Sequence, residues 1–127
     1  MPPKKILLVE DDPFLSSLLK SRLSKEGFAL IYAADGEEAL ALAQKEKPDL
    51  VLLDLILPKK SGFEVLEVMR LDPRLEKTPI MIVSNLGQDS DMVRGRELGA
   101  IAYFIKAKTS IDLLVKEIKD FFSKAGQ

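Results

Sequence analysis

Along the chain, short solid runs of apolar residues take turns with longer stretches in which apolar positions recur every three or four residues. The solid runs fall at 6–9, 30–32, 50–53, 80–83 and 101–105. Each is too short for a helix of ordinary length and long enough for a strand. Between them the spacing predicts helices. Asp12 can cap the first, Pro13 can occupy its first helical position, and Leu15, Leu18, Leu19 and Leu23 form its apolar stripe before Gly27 stops it. The second starts near Gly36, places Ala39, Leu40 and Ala43 on one stripe, and ends before Pro48. The third covers 63–71 with Leu66 and Met69 facing inward, and the fourth, about 89–98, is interrupted by Gly95. Ser110 can cap the fifth, whose apolar face is Ile111, Leu114, Ile118, Phe121 and Phe122.

The third and fourth runs are apolar almost throughout, as expected of strands buried on both faces of a parallel sheet. Strand and helix repeated five times implies right-handed crossovers with helices on both faces of one sheet. The expected architecture is an α/β, doubly wound (βα)5 domain occupying residues 1–127, with its core at about 5–122. Its 127 residues match the size of one ordinary domain.

Composition narrows the chemistry. The 19 basic and 20 acidic residues nearly cancel, so neither a nucleic-acid nor a membrane surface is expected. Cysteine and histidine are both absent, which excludes disulfides, thiolate or histidine metal sites, a Ser-His-Asp triad and a phosphohistidine carrier. The start, MPPKKILLVE, lacks a signal-peptide apolar region, and no run reaches membrane-spanning length. Together with the missing cysteine, this leads to an expected cytoplasmic location.

One aspartate stands out against this pattern. In DLVLLDLILPKKSG, Asp54 follows an apolar run built for the interior, and a buried carboxylate is costly unless paired or metal-bound. Ligand sites of open parallel sheets lie beyond the carboxyl ends of the strands. Those ends carry Glu10-Asp11-Asp12, Asp54, Ser84-Asn85 and Lys106. Converging carboxylates repel one another without a cation, and a hard divalent ion such as Mg²⁺ takes oxygen ligands from one or two of them, plus waters and phosphate oxygens. Asp11 and Asp54 suit direct ligation, Glu10 can hold a metal-bound water, and a strand-end carbonyl can add an oxygen. Lys106 can pair with Asp54 at rest and with a phosphoryl oxygen when one arrives, and Ser84 can donate a hydrogen bond to the same group. Such a set suits phosphoryl transfer to a carboxylate.

At these residues the chain resembles the receiver domain of two-component response regulators, of the single-domain, chemotaxis-regulator kind. The matching features, in order, are the acidic pair in VEDDP, the acceptor in LLDLILPKKSG with Pro58 and Gly62 at their usual offsets, the hydroxyl ending IMIVS, the aromatic in AYFIK, and the lysine three residues later. The resemblance implies a flavodoxin-like sheet of strand order 2-1-3-4-5 and a phosphoacceptor at Asp54. It further implies Mg²⁺ held by Glu10, Asp11, Asp54 and the Ile56 backbone carbonyl, and a phosphoryl group bound by Ser84 and Lys106. Asp12 falls outside the acidic pair and keeps its reading as a cap. Ser84 and Tyr103 would form a switch that alters the face made by the fourth helix, fifth strand and fifth helix. The implied partners are a sensor histidine kinase or phosphotransfer protein and a separate downstream protein, with a monomer or a phosphorylation-dependent dimer as the assembly. The expected role is signalling, with self-catalysed phosphorylation and dephosphorylation.

Three departures qualify the resemblance. The family has proline after the strand-five lysine, whereas here Ala107 follows Lys106. A cis bond before a non-proline residue costs about 2.5 to 4 kcal/mol, so this loop is either trans and differently shaped or cis and strained. Asn85 replaces a small residue and is expected to alter dephosphorylation. Ile56 is apolar at a position that in the family faces the site, a poor group for orienting an attacking water, and this favours a long-lived phosphoryl group. The alternatives are a pseudo-receiver that binds proteins without being phosphorylated, an aspartyl-phosphate phosphatase, disfavoured by Ile56 in place of its second aspartate, and a dinucleotide-binding domain, disfavoured by the missing glycine-rich turn. Phe14 is expected in the core or on the pocket rim.

Overall fold

A computed structural model of the chain, described over residues 2–125, places β1 (Lys5–Val9), β2 (Ala29–Ala33), β3 (Leu50–Leu53), β4 (Ile80–Ser84) and β5 (Ala102–Ile105) in one parallel sheet of order β2-β1-β3-β4-β5. The helices are α1 (Pro13–Lys25), α2 (Gly36–Glu46), α3 (Gly62–Leu71), α4 (Asp89–Glu97) and α5 (Ile111–Ala125), with a 3₁₀ turn at Lys106–Lys108 between β5 and α5. All five strands and all five helices stand where the apolar periods predict them, to within two residues. Strand order reverses between β1 and β3, and the doubly wound expectation is met.

The sheet separates two apolar cores. Leu7, Val9, Val51, Leu53, Ile80 and Ile82 point to one face, where Leu66 and Met69 of α3 and Ala39 and Ala43 of α2 meet them. Ile6, Leu8, Leu50, Leu52, Met81 and Val83 point to the other, against Leu19 and Leu23 of α1 and Leu114 and Ile118 of α5. Alternation along each central strand sends neighbouring residues into opposite cores. This is why 50–53 and 80–83 read as unbroken apolar runs.

Local signals explain the helix ends. Asp12 Oδ1 accepts hydrogen bonds from the Phe14 and Leu15 N–H groups at 2.9 and 3.4 Å, and Ser110 Oγ accepts from Leu113 N–H at 3.0 Å. Gly95 does not break α4. It is buried, and a Cβ there would lie 2.7 Å from Ile82 Cδ1 and 3.4 Å from the Tyr103 ring, so the helix seats closely on β4 and β5 because this residue has no side chain. Phe14 is 78 % exposed, which places it on the surface and out of the core.

One side chain joins three segments. The guanidinium of Arg70, near the end of α3, donates to the carbonyls of Leu98 at 3.1 Å, Gly99 at 3.2 Å, Glu76 at 2.7 Å and Leu75 at 3.5 Å. It thereby ties α3 to the loop before β4 and to the end of α4. Among the described residues, no helix is long and apolar enough to cross a membrane.

Candidate functional site

The polar residues predicted to meet do so at the carboxyl edge of the sheet. Glu10 is fixed by its N–H bonding to the Ala33 carbonyl at 3.1 Å, and Asp54 by its N–H bonding to the Val9 carbonyl at 3.0 Å. Both thus continue the β1–β2 and β1–β3 ladders one step beyond the strands. Both are buried, at 2 % and 4 % exposure, while Asp11 is exposed. Carboxylate oxygens of Glu10, Asp11 and Asp54 lie within 4.8 Å of one another.

Lys106 supplies the first compensation. Its Nζ lies 2.7 Å from Asp54 Oδ2 and 2.7 Å from Glu10 Oε1, forming one bridge across two buried acids. Burial works against the ammonium, but the hydrogen bonds to Asp54 and Glu10 outweigh it and hold the Lys106 pKa above the usual lysine value. Burial likewise pushes the Glu10 carboxyl upward, with Lys106 and the Asp12 N–H opposing it and the Asp54 charge adding to it. Three carboxylates facing one ammonium leave an excess of negative charge. Three acidic oxygen donors gathered at an open edge suit a hard divalent cation, and the donor set therefore fits the expected Mg²⁺.

Backbone groups complete the frame. The Ile56 N–H donates to Asp54 Oδ1 at 3.1 Å and the Asp12 N–H to Glu10 Oε2 at 3.1 Å. Gly62 lets α3 begin directly against the acceptor loop: its N–H bonds to the Leu55 carbonyl at 2.9 Å, and a Cβ would sit 2.2 Å from the Asp54 carbonyl oxygen. No L side chain fits there, which gives the glycine at this offset a physical reason.

Ser84 is fully buried at the end of β4, and its Oγ accepts from the Leu86 N–H at 3.4 Å. Tyr103 is half-buried, and its hydroxyl donates to the Leu86 carbonyl, so both candidate switch residues hold the same loop residue. This replaces the solvent-directed hydroxyl that a simple strand aromatic would show. Burial, followed by the charges of Asp91 and Asp54, raises the tyrosine pKa. Ile56, two residues after Asp54, is 53 % exposed.

The Lys106-Ala107 peptide is trans, since no cis bond occurs among the described residues. Of the two loop shapes open from sequence, the chain takes the trans one, folded into the 3₁₀ turn. One supporting residue, Tyr32, escaped sequence reasoning, and for Asn85, which the sequence singled out, the contact it makes did. The Tyr32 hydroxyl donates to the Glu10 carbonyl at 2.7 Å, and Asn85 Oδ1 accepts from the Ala107 N–H at 3.1 Å. The pairing of Leu8 with Tyr32 one strand away is the signal that could have found the first.

Comparison with known proteins agrees with this geometry. The family described as the response regulator receiver domain matches residues 6–119. The transcriptional regulatory protein CpxR of Klebsiella pneumoniae is 43% identical over 112 residues, covering 88% of this chain and 47% of that protein. The chain thus spans less than half the length of this curated relative. Among solved structures, the Mn²⁺-bound form of response regulator Rcp1 superposes with a TM-score of 0.84 at 35% identity, covering 94% of each chain. The phosphorylated cyanobacterial phytochrome response regulator RcpA does so with a TM-score of 0.82 at 34% identity, covering 94% of this chain and 93% of that one.

Proposed function

Since the chain belongs to the response regulator receiver domain family, we propose that Asp54 is its phosphoacceptor, and that Lys106, Ser84 and a divalent ion at Glu10, Asp11 and Asp54 serve the transfer. The observation that carries this reading is the Lys106 ammonium held 2.7 Å from both Asp54 and Glu10, with Asp11 beside them. A carboxylate oxygen of Asp54 attacks the phosphorus of a kinase or phosphotransfer-protein phosphohistidine. The P–N bond breaks, its electron pair stays on the imidazole nitrogen, and an acyl phosphate forms on Asp54. Hydrolysis reverses the gain: water attacks phosphorus, the P–O bond to Asp54 breaks, and the carboxylate returns.

The chain's own groups act mainly by placement and charge. Asp54 Oδ1 is held by the Ile56 N–H, which leaves Oδ2 on the lysine side as the attacking oxygen. Lys106 then exchanges its contact with Asp54 Oδ2 for a phosphoryl oxygen, and Ser84 releases Leu86 to donate its hydroxyl to another. Glu10, Asp11, Asp54 and the Ile56 carbonyl would hold Mg²⁺, which would supply positive charge to offset that of the phosphoryl oxygens. The Mn²⁺ and the phosphorylation of the two structural relatives support the assignment of ion and acceptor. Release of Leu86 by Ser84 frees Tyr103 to rearrange, which alters the α4, β5 and α5 face presented to a downstream protein or to a second copy.

Incubation with acetyl phosphate and Mg²⁺, followed by intact mass measurement, tests the reading. One added phosphoryl mass is expected, dependent on the metal and absent in Asp54→Asn. No adduct, or one that survives the substitution, overturns it in favour of an unphosphorylated binding module. After removal of the donor the adduct should decay slowly, because the Ile56 side chain has no group to orient water.

A further inference from the structure

We infer that Asn85 is a positioning residue for Lys106, acting through the backbone of the loop after β5; this rests on the phosphoacceptor reading above. The β4–β5 ladder ends with the pairing of Ser84 and Ile105. Lys106 is the next residue, and its side chain must span into the site while its backbone enters a 3₁₀ turn. Past the ladder, the turn's own tie is the Thr109 N–H on the Lys106 carbonyl, long at 3.4 Å. The cross-strand tie comes from a side chain: Asn85 Oδ1 accepts the Ala107 N–H at 3.1 Å. Asn85 therefore extends the strand pairing by one step, using its amide where the backbone of β4 has turned away.

The tie depends on both partners. A proline at 107 would have no N–H to give, and an alanine at 85 would have no acceptor. Asn85 and Ala107 are both exposed, so the bond gains little from burial and its value lies in geometry. The peptide it holds immediately follows the Cα of Lys106, whose Nζ meets two acids at 2.7 Å. A loop free to shift by a fraction of an ångström moves that ammonium away from the oxygen it must hand to the phosphoryl group.

Phosphoryl uptake from acetyl phosphate with Mg²⁺ should be measured for the native protein, Asn85→Ala, Ala107→Pro and the double variant, with thermal unfolding confirming that each is folded. Native uptake at Asp54 must be seen first; its absence defeats the phosphoacceptor reading itself. Given uptake, Asn85→Ala should be slower by about fivefold, the scale of one ordinary hydrogen bond. The same asparagine substitution made in Ala107→Pro should cost nothing, since the donor is already gone. Equal rates for native protein and Asn85→Ala overturn the inference. So does a fivefold loss that persists in the proline background, which would place Asn85 directly on the phosphoryl group or its water. Amide hydrogen exchange gives a readout independent of activity: Ala107 N–H should lose protection in Asn85→Ala, and unchanged protection also overturns the inference.

Discussion

At the scale of single residues, the site is a problem of charge. Glu10 and Asp54 are buried and Lys106 touches both. Removing one partner of a buried pair costs about 3 to 5 kcal/mol, because a charge is left without compensation. Lys106→Met should therefore lower the free energy of unfolding by about 3 kcal/mol when a chelator keeps divalent ions away, and Mg²⁺ should recover much of the loss. Urea unfolding with and without the chelator measures both. An equal loss in the two conditions would mean that Lys106 matters for packing and not for charge. Asp54, Glu10, Asp11 and Lys106 were legible in the sequence because each breaks an apolar period at a strand end, where topology dictates that they meet. Tyr32 was not, nor was the contact that Asn85 makes, since both contribute to backbone groups of other segments and leave no mark on the local pattern.

At the scale of elements, the period of apolar residues carried nearly all the information, and its one misleading signal was Gly95. In an isolated helix that glycine costs up to about 1 kcal/mol against alanine, which is why α4 looked interrupted. Packing reverses the sign. A methyl group at 95 meets Ile82 Cδ1 at 2.7 Å, and Ile82 is fully buried in the centre of the sheet, so it has little room to yield. Overpacking costs about 1 to 3 kcal/mol. Gly95→Ala should thus destabilise the protein by about 1 kcal/mol net, as read from denaturant midpoints, whereas a stabilised variant would show that α4 rides loosely on β5. The loop after β5 illustrates the opposite limit. Its sequence allowed a cis or a trans peptide, and only the position of Asn85 across the strand, a tertiary fact, accompanies the trans form.

At the scale of the whole molecule, four of the five strands, β1, β3, β4 and β5, deliver their polar ends to one edge, and the fold gathers three carboxylates there. Any cation that binds there stabilises the folded chain by mass action, since the unfolded chain gathers no such cluster. Mg²⁺ at a hundredfold excess over its dissociation constant should add about 2.7 kcal/mol, seen as a higher Tm that a chelator abolishes and that Asp11→Asn reduces. A Tm indifferent to Mg²⁺ would count against the metal assignment. The same view gives Arg70 a meaning beyond packing. Its guanidinium grips both carbonyls at the end of α4, together with two more before β4, while in the loop leading into α4 the Leu86 carbonyl accepts one hydrogen bond from the Tyr103 hydroxyl of β5. The helix is moored unequally, like a lever with its fulcrum at Leu98 and a light latch at Leu86. If Tyr103 releases Leu86, the Gln88 end should swing through the larger arc, so that a change of one hydrogen bond near Asp54 would be magnified along the length of α4.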